Sequence, residues 1–94
     1  MDLYTKVLDL EAGVSTDPYA TLQEMIDSGL AWTLQGHYGR MAMQAIEDGH
    51  CMFGTESRRD YWGNRIPSRD EVVEGTPGSR TFHEATLADA EAER

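Results

Sequence analysis

The sequence predicts an all-α fold, a small bundle of three or four short helices followed by an irregular C-terminal segment. Apolar residues recur at helical spacing over residues 2–49, and glycine, proline and aspartate residues stand where such helices would begin and end. Turn-forming residues become frequent after residue 53, and no long helix or strand tolerates them. Compact helical packing is therefore expected to stop near residue 53.

The first helix is predicted over residues 2–12. Leu3, Val7 and Leu10 are spaced to lie on one helical face. The Asp2 carboxylate can accept a hydrogen bond from the first turn, and Gly13 can adopt the left-handed conformation that ends a helix.

The second helix is predicted to begin at Pro18, because the fixed backbone angle of proline suits a first turn. Residues 15–17 offer capping oxygens before it, and residues 27–29 indicate its end. Its buried face is predicted to hold Tyr19, Leu22, Met25 and Ile26. Gln23 and Glu24 are expected to face solvent.

A third helical segment is predicted to be interrupted near Gly36. Apolar residues keep helical spacing from Leu30 to Ile46. Gly36 and Gly39 lie inside this pattern, and each costs a helix about 1 kcal/mol relative to alanine. We therefore expect a short helix over residues 30–35, a kink, and a longer helix over residues 37–48.

These patterns divide the chain into three regions. Residues 1–53 form the helical domain, residues 54–82 an irregular segment rich in arginine and aromatic residues, and residues 83–94 an acidic tail that is helical or disordered. A packed unit of about fifty residues is marginally stable alone. The small size of the packed unit therefore favours stabilisation of the chain by a binding partner.

Charge excludes one class of partner and divides the chain further. Its 17 acidic and 8 basic residues give a net charge of −9, so we expect no direct non-specific binding to nucleic acid. Residues 58–69, however, carry four arginines and one acid. This segment either folds back on the acidic helices or binds a partner that bears carboxylates or phosphates.

Cysteine content and hydropathy indicate a cytoplasmic protein without a membrane partner. Cys51 is the single cysteine, and the chain opens without the basic start and apolar run of a secretory signal. No apolar stretch approaches the roughly twenty residues that a transmembrane helix requires.

Candidate catalytic groups are few, and we expect no enzymatic activity. His37, Tyr38 and Arg40 fall within one helical turn and could supply an acid or base and an anion clamp. No serine, cysteine or carboxylate stands at a spacing typical of a catalytic triad. In the simplest interpretation Tyr38 faces the core, His37 bonds a neighbouring segment and Arg40 pairs with a helix acid.

Neither a metal nor a cofactor is expected. The candidate metal ligands lack the paired spacing of zinc sites; they are His37, His50, Cys51 and His83. The glycines form neither a dinucleotide fingerprint nor a phosphate loop. Activation of Cys51 by His50 is also not expected, since sequence neighbours normally point apart.

Partner-binding residues are predicted from residue type, because tryptophan, tyrosine and arginine dominate interface hot spots. Phe53, Tyr61 and Trp62 lie in a glycine-rich region beside arginines and need burial. Either they cover the helical core as an irregular lid, or they are presented to another protein or another copy of this chain. The predicted partner-binding residues are Trp32, Tyr38, Arg40, Tyr61, Trp62 and Arg65.

Three stretches of the sequence carry a family resemblance. Residues 29–42 read GLAWTLQGHYGRMA, residues 4–8 read YTKVL, and residues 61–72 read YWGNRIPSRDEV. Together they resemble small uncharacterised proteins of tailed bacteriophages, many infecting actinobacteria, that carry a TGLAWxLQGHYGR core after an acidic helical segment. The resemblance covers the first fifty residues well and residues 61–72 loosely. It implies an origin and no mechanism, because that family has no assigned activity.

The sequence and the resemblance together predict a non-enzymatic phage accessory protein. It would bind a host or phage protein in the cytoplasm of the infected bacterial host, and self-association into a homo-oligomer is a second way to complete its small core. The alternative function is a minor virion component whose second half orders only within an assembly.

Overall fold

The computed structural model describes residues 2–34, 36–60 and 62–92, which are mostly helical. Five helices and one two-stranded antiparallel sheet follow in chain order: α1 Leu3–Ala12, α2 Pro18–Ser28, α3 Leu30–Thr33, α4 Gly36–Glu47, β1 Arg58–Arg59, β2 Arg65–Ile66 and α5 Arg80–Ala92. The fold is therefore mostly helical and not purely all-α. Among these helices, none combines the length and the apolar character needed to cross a membrane.

The predicted ends of α1 and α2 are confirmed. Asp2 and Asp17 each accept a hydrogen bond from a backbone N–H of the first turn that follows, at 2.9 and 3.1 Å. Such caps are worth about 1 kcal/mol each. Gly13 and Gly29 follow the two helices with φ angles of 75° and 85°. These ends are set locally, so the sequence was sufficient to predict them.

The predicted interruption of the third segment is also confirmed. α3 ends at Thr33, Leu34 has an extended backbone, and α4 begins at Gly36. A Cβ on Gly39 would lie 3.7 Å from the carbonyl oxygen of Ala31. This distance is an ordinary van der Waals contact, so α3 and α4 leave room for no more than a small side chain at position 39.

The core lies where α2, α3 and α4 meet. Its buried apolar side chains are Val7, Leu22, Met25, Ile26, Ala31, Trp32, Tyr38, Ala42, Ala45, Ile46, Cys51 and Phe53. Burial of each large apolar side chain contributes about 1.5–3 kcal/mol. The predicted buried face of α2 is confirmed except for Tyr19, which is 45% exposed and stacks on His50.

The expectation that Gln23 faces solvent is wrong. The Gln23 amide accepts a hydrogen bond from the Met52 N–H at 2.9 Å and donates one to the Met52 carbonyl at 3.0 Å. It therefore pairs with the backbone of a segment that follows α4, as a neighbouring strand would. Glu24 does stay exposed, and it forms an ion pair with Lys6 at 2.7 Å.

The extended segment over residues 51–54, which we call the central strip, connects the two halves of the chain. On one side it packs on α2, since a Cβ on Gly54 would lie 3.1 Å from the carbonyl oxygen of Ile26. On the other side the Phe53 N–H donates to the Gly78 carbonyl at 3.0 Å, and the Arg69 N–H donates to the Gly54 carbonyl at 2.9 Å. Packing therefore continues past residue 53, contrary to expectation.

The guanidinium of Arg69 is the charged group at the centre of this junction. Arg69 is only 8% exposed. It donates to the Phe53 carbonyl at 2.8 Å and forms an ion pair with Asp27 at 2.7 Å. The same Asp27 oxygen accepts a hydrogen bond from Gln23 at 3.1 Å. For Arg69, the interpretation that the arginine segment folds back on the acidic helices is therefore confirmed.

The C-terminal helix packs on the turn that follows α4. Thr86 occupies the space that a side chain at Gly49 would need, and the His83 Nδ1 atom lies 2.8 Å from the Gly49 carbonyl oxygen. The Ser79 hydroxyl accepts a hydrogen bond from the Phe82 N–H at 3.1 Å and so caps α5. The tail predicted to be helical or disordered is helical as far as Ala92, and residues 93–94 lie outside the described residues.

Replacement of Arg69 by alanine tests this junction. Loss of a buried guanidinium leaves the Phe53 carbonyl and Asp27 without their partner, so we expect the free energy of unfolding to fall by about 2 kcal/mol. Urea denaturation followed by circular dichroism measures it. Arg59→Ala is the matched control, because Arg59 is exposed and, within the part of the chain that the structure describes, its side chain bonds the nearby Gly63 carbonyl. Equal effects of the two substitutions would contradict a special role for Arg69.

Candidate functional site

An open groove of about 210 Å³ lies between the α3–α4 region and the β1–β2 hairpin. We call it the Trp62 groove, and it is lined by Ala31, Trp32, Leu34, Gly39, Arg40, Met43, Asp60, Trp62 and Ile66. Three of the predicted partner-binding residues meet here, namely Trp32, Arg40 and Trp62. Trp32 and Arg40 lie on the consecutive helices α3 and α4, and the fold brings Trp62 to them from the hairpin.

The floor of the groove is apolar and held by the core. Trp32 is only 3% exposed, and Ala31 beside it is buried. A side chain at Gly39 would lie 3.9 Å from the Trp32 ring, so glycine leaves this part of the groove open. Trp32 thus contributes to the groove as a buried surface below the opening.

The rim of the groove is formed by Trp62, which lies in the loop of the hairpin and is 72% exposed. One oxygen of the Asp60 carboxylate accepts hydrogen bonds from the Trp62 N–H at 2.9 Å and the Asn64 N–H at 2.8 Å. The other oxygen lies 3.3 Å from the Asn64 amide nitrogen, which donates to it. Aspartate commonly fixes tight turns in this way. The loop backbone therefore positions Trp62 while its ring stays largely in water.

Arg40 supplies positive charge to the groove. It is exposed on α4, and none of the ion pairs found among the described residues involves it. The sequence-based expectation that Arg40 pairs with a helix acid is therefore not met in this part of the chain. Asp60 is the acid that lines the groove, and its oxygens already accept the hydrogen bonds of the loop.

Two of the other predicted partner-binding residues, Tyr38 and Arg65, do not line the groove. Tyr38 is buried in the core, and this burial, with a contribution from the nearby Glu11, raises its pKa to about 12. Arg65 lies on β2 and pairs with Glu71, and the hydrogen bond from Arg65 holds the pKa of that carboxyl below its ordinary value. Tyr61 lies outside the described residues. Tyr38 thus lies in the core and does not line the Trp62 groove.

Sequence reasoning missed the apolar residues that complete the groove. Leu34, Met43 and Ile66 line it, and all three are partly buried. The hairpin that carries Ile66 has one local signal, the Gly63-Asn64 pair between two short arginine-containing runs. Nothing local indicates that Leu34 and Met43 face this hairpin.

The three histidines lie outside the groove. The His37 Nε2 atom lies 3.9 Å from the Glu11 carboxylate, a distance too long for a hydrogen bond. His50 stacks on Tyr19 with ring centroids 4.1 Å apart, and His83 contacts a backbone carbonyl. Over residues 2–34, 36–60 and 62–92, no group of three or more His, Cys, Asp and Glu side chains could hold a metal ion.

The Cys51 thiol is fully buried against α2. Its sulfur lies 3.5 Å from the Tyr19 carbonyl oxygen, to which the thiol donates. Burial, together with the charges of Asp27 and Asp17, raises the pKa of the thiol to about 12. Because the thiolate is the nucleophilic form, this cysteine is poorly suited to catalysis at neutral pH.

Thiol reactivity tests the burial of Cys51. We expect a disulfide reagent at about pH 8 to modify the folded chain at least about 100-fold more slowly than the urea-unfolded chain, because little thiolate forms. The control is a Cys51→Ser, Val73→Cys chain, whose thiol is exposed. Rapid modification of the folded wild-type chain would contradict the burial of Cys51.

Burial of Cys51 also makes stability depend on pH. Folding raises the pKa of the thiol, so its contribution to the free energy of unfolding is complete below the ordinary value of 9.0 and is lost as pH rises toward about 12.

A comparison with protein families finds a match to a family described as Domain of unknown function (DUF7417), over residues 2–59. The matched region holds α1 to α4 and β1, and therefore the groove floor and Arg40, whereas Trp62 and Ile66 follow it. Comparisons with curated proteins and with solved structures find no match. Because the matched region is more than half of the sequence, the chain belongs to the family Domain of unknown function (DUF7417).

Proposed function

We propose that this chain is a non-enzymatic bacteriophage accessory protein that binds a host or phage protein, and that the Trp62 groove is its contact surface. One observation carries the proposal: a tryptophan that is 72% exposed stands over an apolar floor. Large exposed aromatic residues beside apolar concavities are typical of protein interfaces. The resemblance of residues 29–42 to tailed-phage proteins supports the bacteriophage part of the proposal.

The chemistry of the groove favours binding over catalysis. A catalytic site needs an acid, base or nucleophile within hydrogen-bond reach of the reacting atom. The charged residues that line this groove are Arg40 and Asp60, and the latter is engaged by its own loop. His37 is not part of the lining.

The size of the groove favours a protein partner over a small molecule. Its volume of about 210 Å³ is below the roughly 300–1,000 Å³ of typical ligand pockets. An open groove of this size accommodates one or two side chains of a protein. Anchor residues in such pockets carry most of the binding energy of an interface, and truncation of one costs about 2 kcal/mol or more.

Replacement of Trp62 by alanine tests the proposal. We expect an affinity pull-down from infected cells, followed by binding of the identified partner to purified chains, to show a loss of about 30-fold or more. Helical content should be retained, because the Trp62 ring is not part of the core. Val73→Ala is the matched control, since Val73 is 74% exposed and does not line the groove.

Two results would contradict the proposal. Equal affinity of the Trp62→Ala and wild-type chains for the partner would remove the groove as the contact surface. Stoichiometric peptides of this chain in purified virions would favour the alternative, a minor virion component. The described residues of the second half give that alternative no particular support, since they already pack on α2 through Arg69.

A further inference from the structure

Building on the proposed function, we infer that the Trp62 groove binds a peptide segment in which an apolar side chain is flanked by aspartate or glutamate. In this arrangement the apolar side chain lies between Trp32 and Trp62, and the carboxylate pairs with Arg40. The occupant is thus an acidic, apolar segment of another protein.

The charges that line the groove favour a carboxylate. Asp60 accepts three hydrogen bonds from the hairpin loop, two of them from backbone N–H groups. Arg40, by contrast, is exposed and forms no ion pair among the residues described. An arginine presents a planar set of donors that matches a carboxylate. The Asp60 oxygens are therefore occupied by the loop, whereas the Arg40 donors are left for a partner.

Most of the neighbouring arginines are already engaged with acids of this chain. Arg58 lies 3.7 Å from Glu56, Arg65 pairs with Glu71, and Arg69 is buried against Asp27. Each such pair offsets one positive charge. Arg40 differs from these arginines because it lines the groove and its charge remains available to a partner.

The apolar lining favours a bulky uncharged side chain beside that carboxylate. Leu34, Met43 and Ile66 line the groove together with Trp32. Methionine adapts to side chains of different shapes, so the groove accepts either an aliphatic or an aromatic anchor. Removal of this anchor from water supplies affinity, and the Arg40 pair supplies charge selectivity.

The net negative charge of the whole chain opposes the binding of an acidic peptide, but it acts over a longer range than the groups in the groove. A charge of −9 repels an acidic peptide and slows its approach. At physiological salt, exposed charges farther apart than about 8 Å are largely screened from one another. The groups within the groove therefore determine the preference of the bound state.

A peptide selection tests this inference on the full chain. Random twelve-residue peptides are selected against the wild-type chain and, in parallel, against Trp62→Ala. We expect an aliphatic or aromatic residue flanked by Asp or Glu to be enriched on the wild-type chain alone. Enrichment of Lys and Arg, enrichment without a charge preference, or no enrichment that depends on Trp62 would overturn the inference.

Binding of one selected peptide to Arg40→Gln tests the assigned pair directly. Fluorescence anisotropy should show about a 10-fold weaker affinity for the acidic peptide and little change for its Asn/Gln counterpart. Arg40→Glu should in turn prefer a Lys-containing peptide, while Arg59→Gln is the control with an unchanged preference. Equal losses for the acidic and uncharged peptides would overturn the pairing.

The natural partner separates failure of this inference from failure of the proposed function. A partner that requires Trp62 but is indifferent to Arg40→Gln would leave the proposed function intact and overturn the acidic preference. A partner indifferent to both substitutions would overturn both.

Discussion

The buried guanidinium of Arg69 determines how the two halves of this chain fit together. It reaches Asp27 on α2 and the carbonyl of Phe53 in the central strip, while its own backbone N–H bonds Gly54. A buried charge costs several kcal/mol when its partners are missing, so these contacts strongly favour one arrangement. The β1–β2 hairpin lies between the strip and Arg69 in sequence and is therefore anchored at both ends. The position of Trp62 depends on this anchorage.

The Trp62 groove is a consequence of the same junction. Its floor belongs to helices stabilised by the core, whereas its rim belongs to a short hairpin that could not stand alone in water. The contacts of Arg69 hold the hairpin near these helices. The groove therefore forms between segments that no local sequence signal would place together. The family match ends at residue 59, between floor and rim, and Arg40 lies on the matched side. A binding surface built this way combines a rigid base with an exposed aromatic residue.

The parts of the fold that the sequence predicts are those determined locally. Helix ends are set by residues next to them, namely Asp2, Pro18 and the glycines that follow α1 and α2. The break before α4 is likewise determined by neighbouring residues. The parts it misses depend on distant polar contacts. Gln23 meets Met52 across 29 positions and Arg69 meets Asp27 across 42, and no periodicity encodes such pairs. Residue type was enough to select Trp32, Arg40 and Trp62 as candidates, but only the fold shows that they share one groove and that Tyr38 does not.

Native-state hydrogen exchange of the Arg69 backbone amide is the most direct measurement of the junction. If Arg69 unites the two halves, this amide, which donates to the Gly54 carbonyl, should exchange with the same free energy as the Ile26 amide in the core of α2. Both would then open only when the whole chain unfolds. Rapid exchange at Arg69 with continued protection at Ile26 would show that the second half opens independently, and it would contradict the role assigned here to the buried guanidinium.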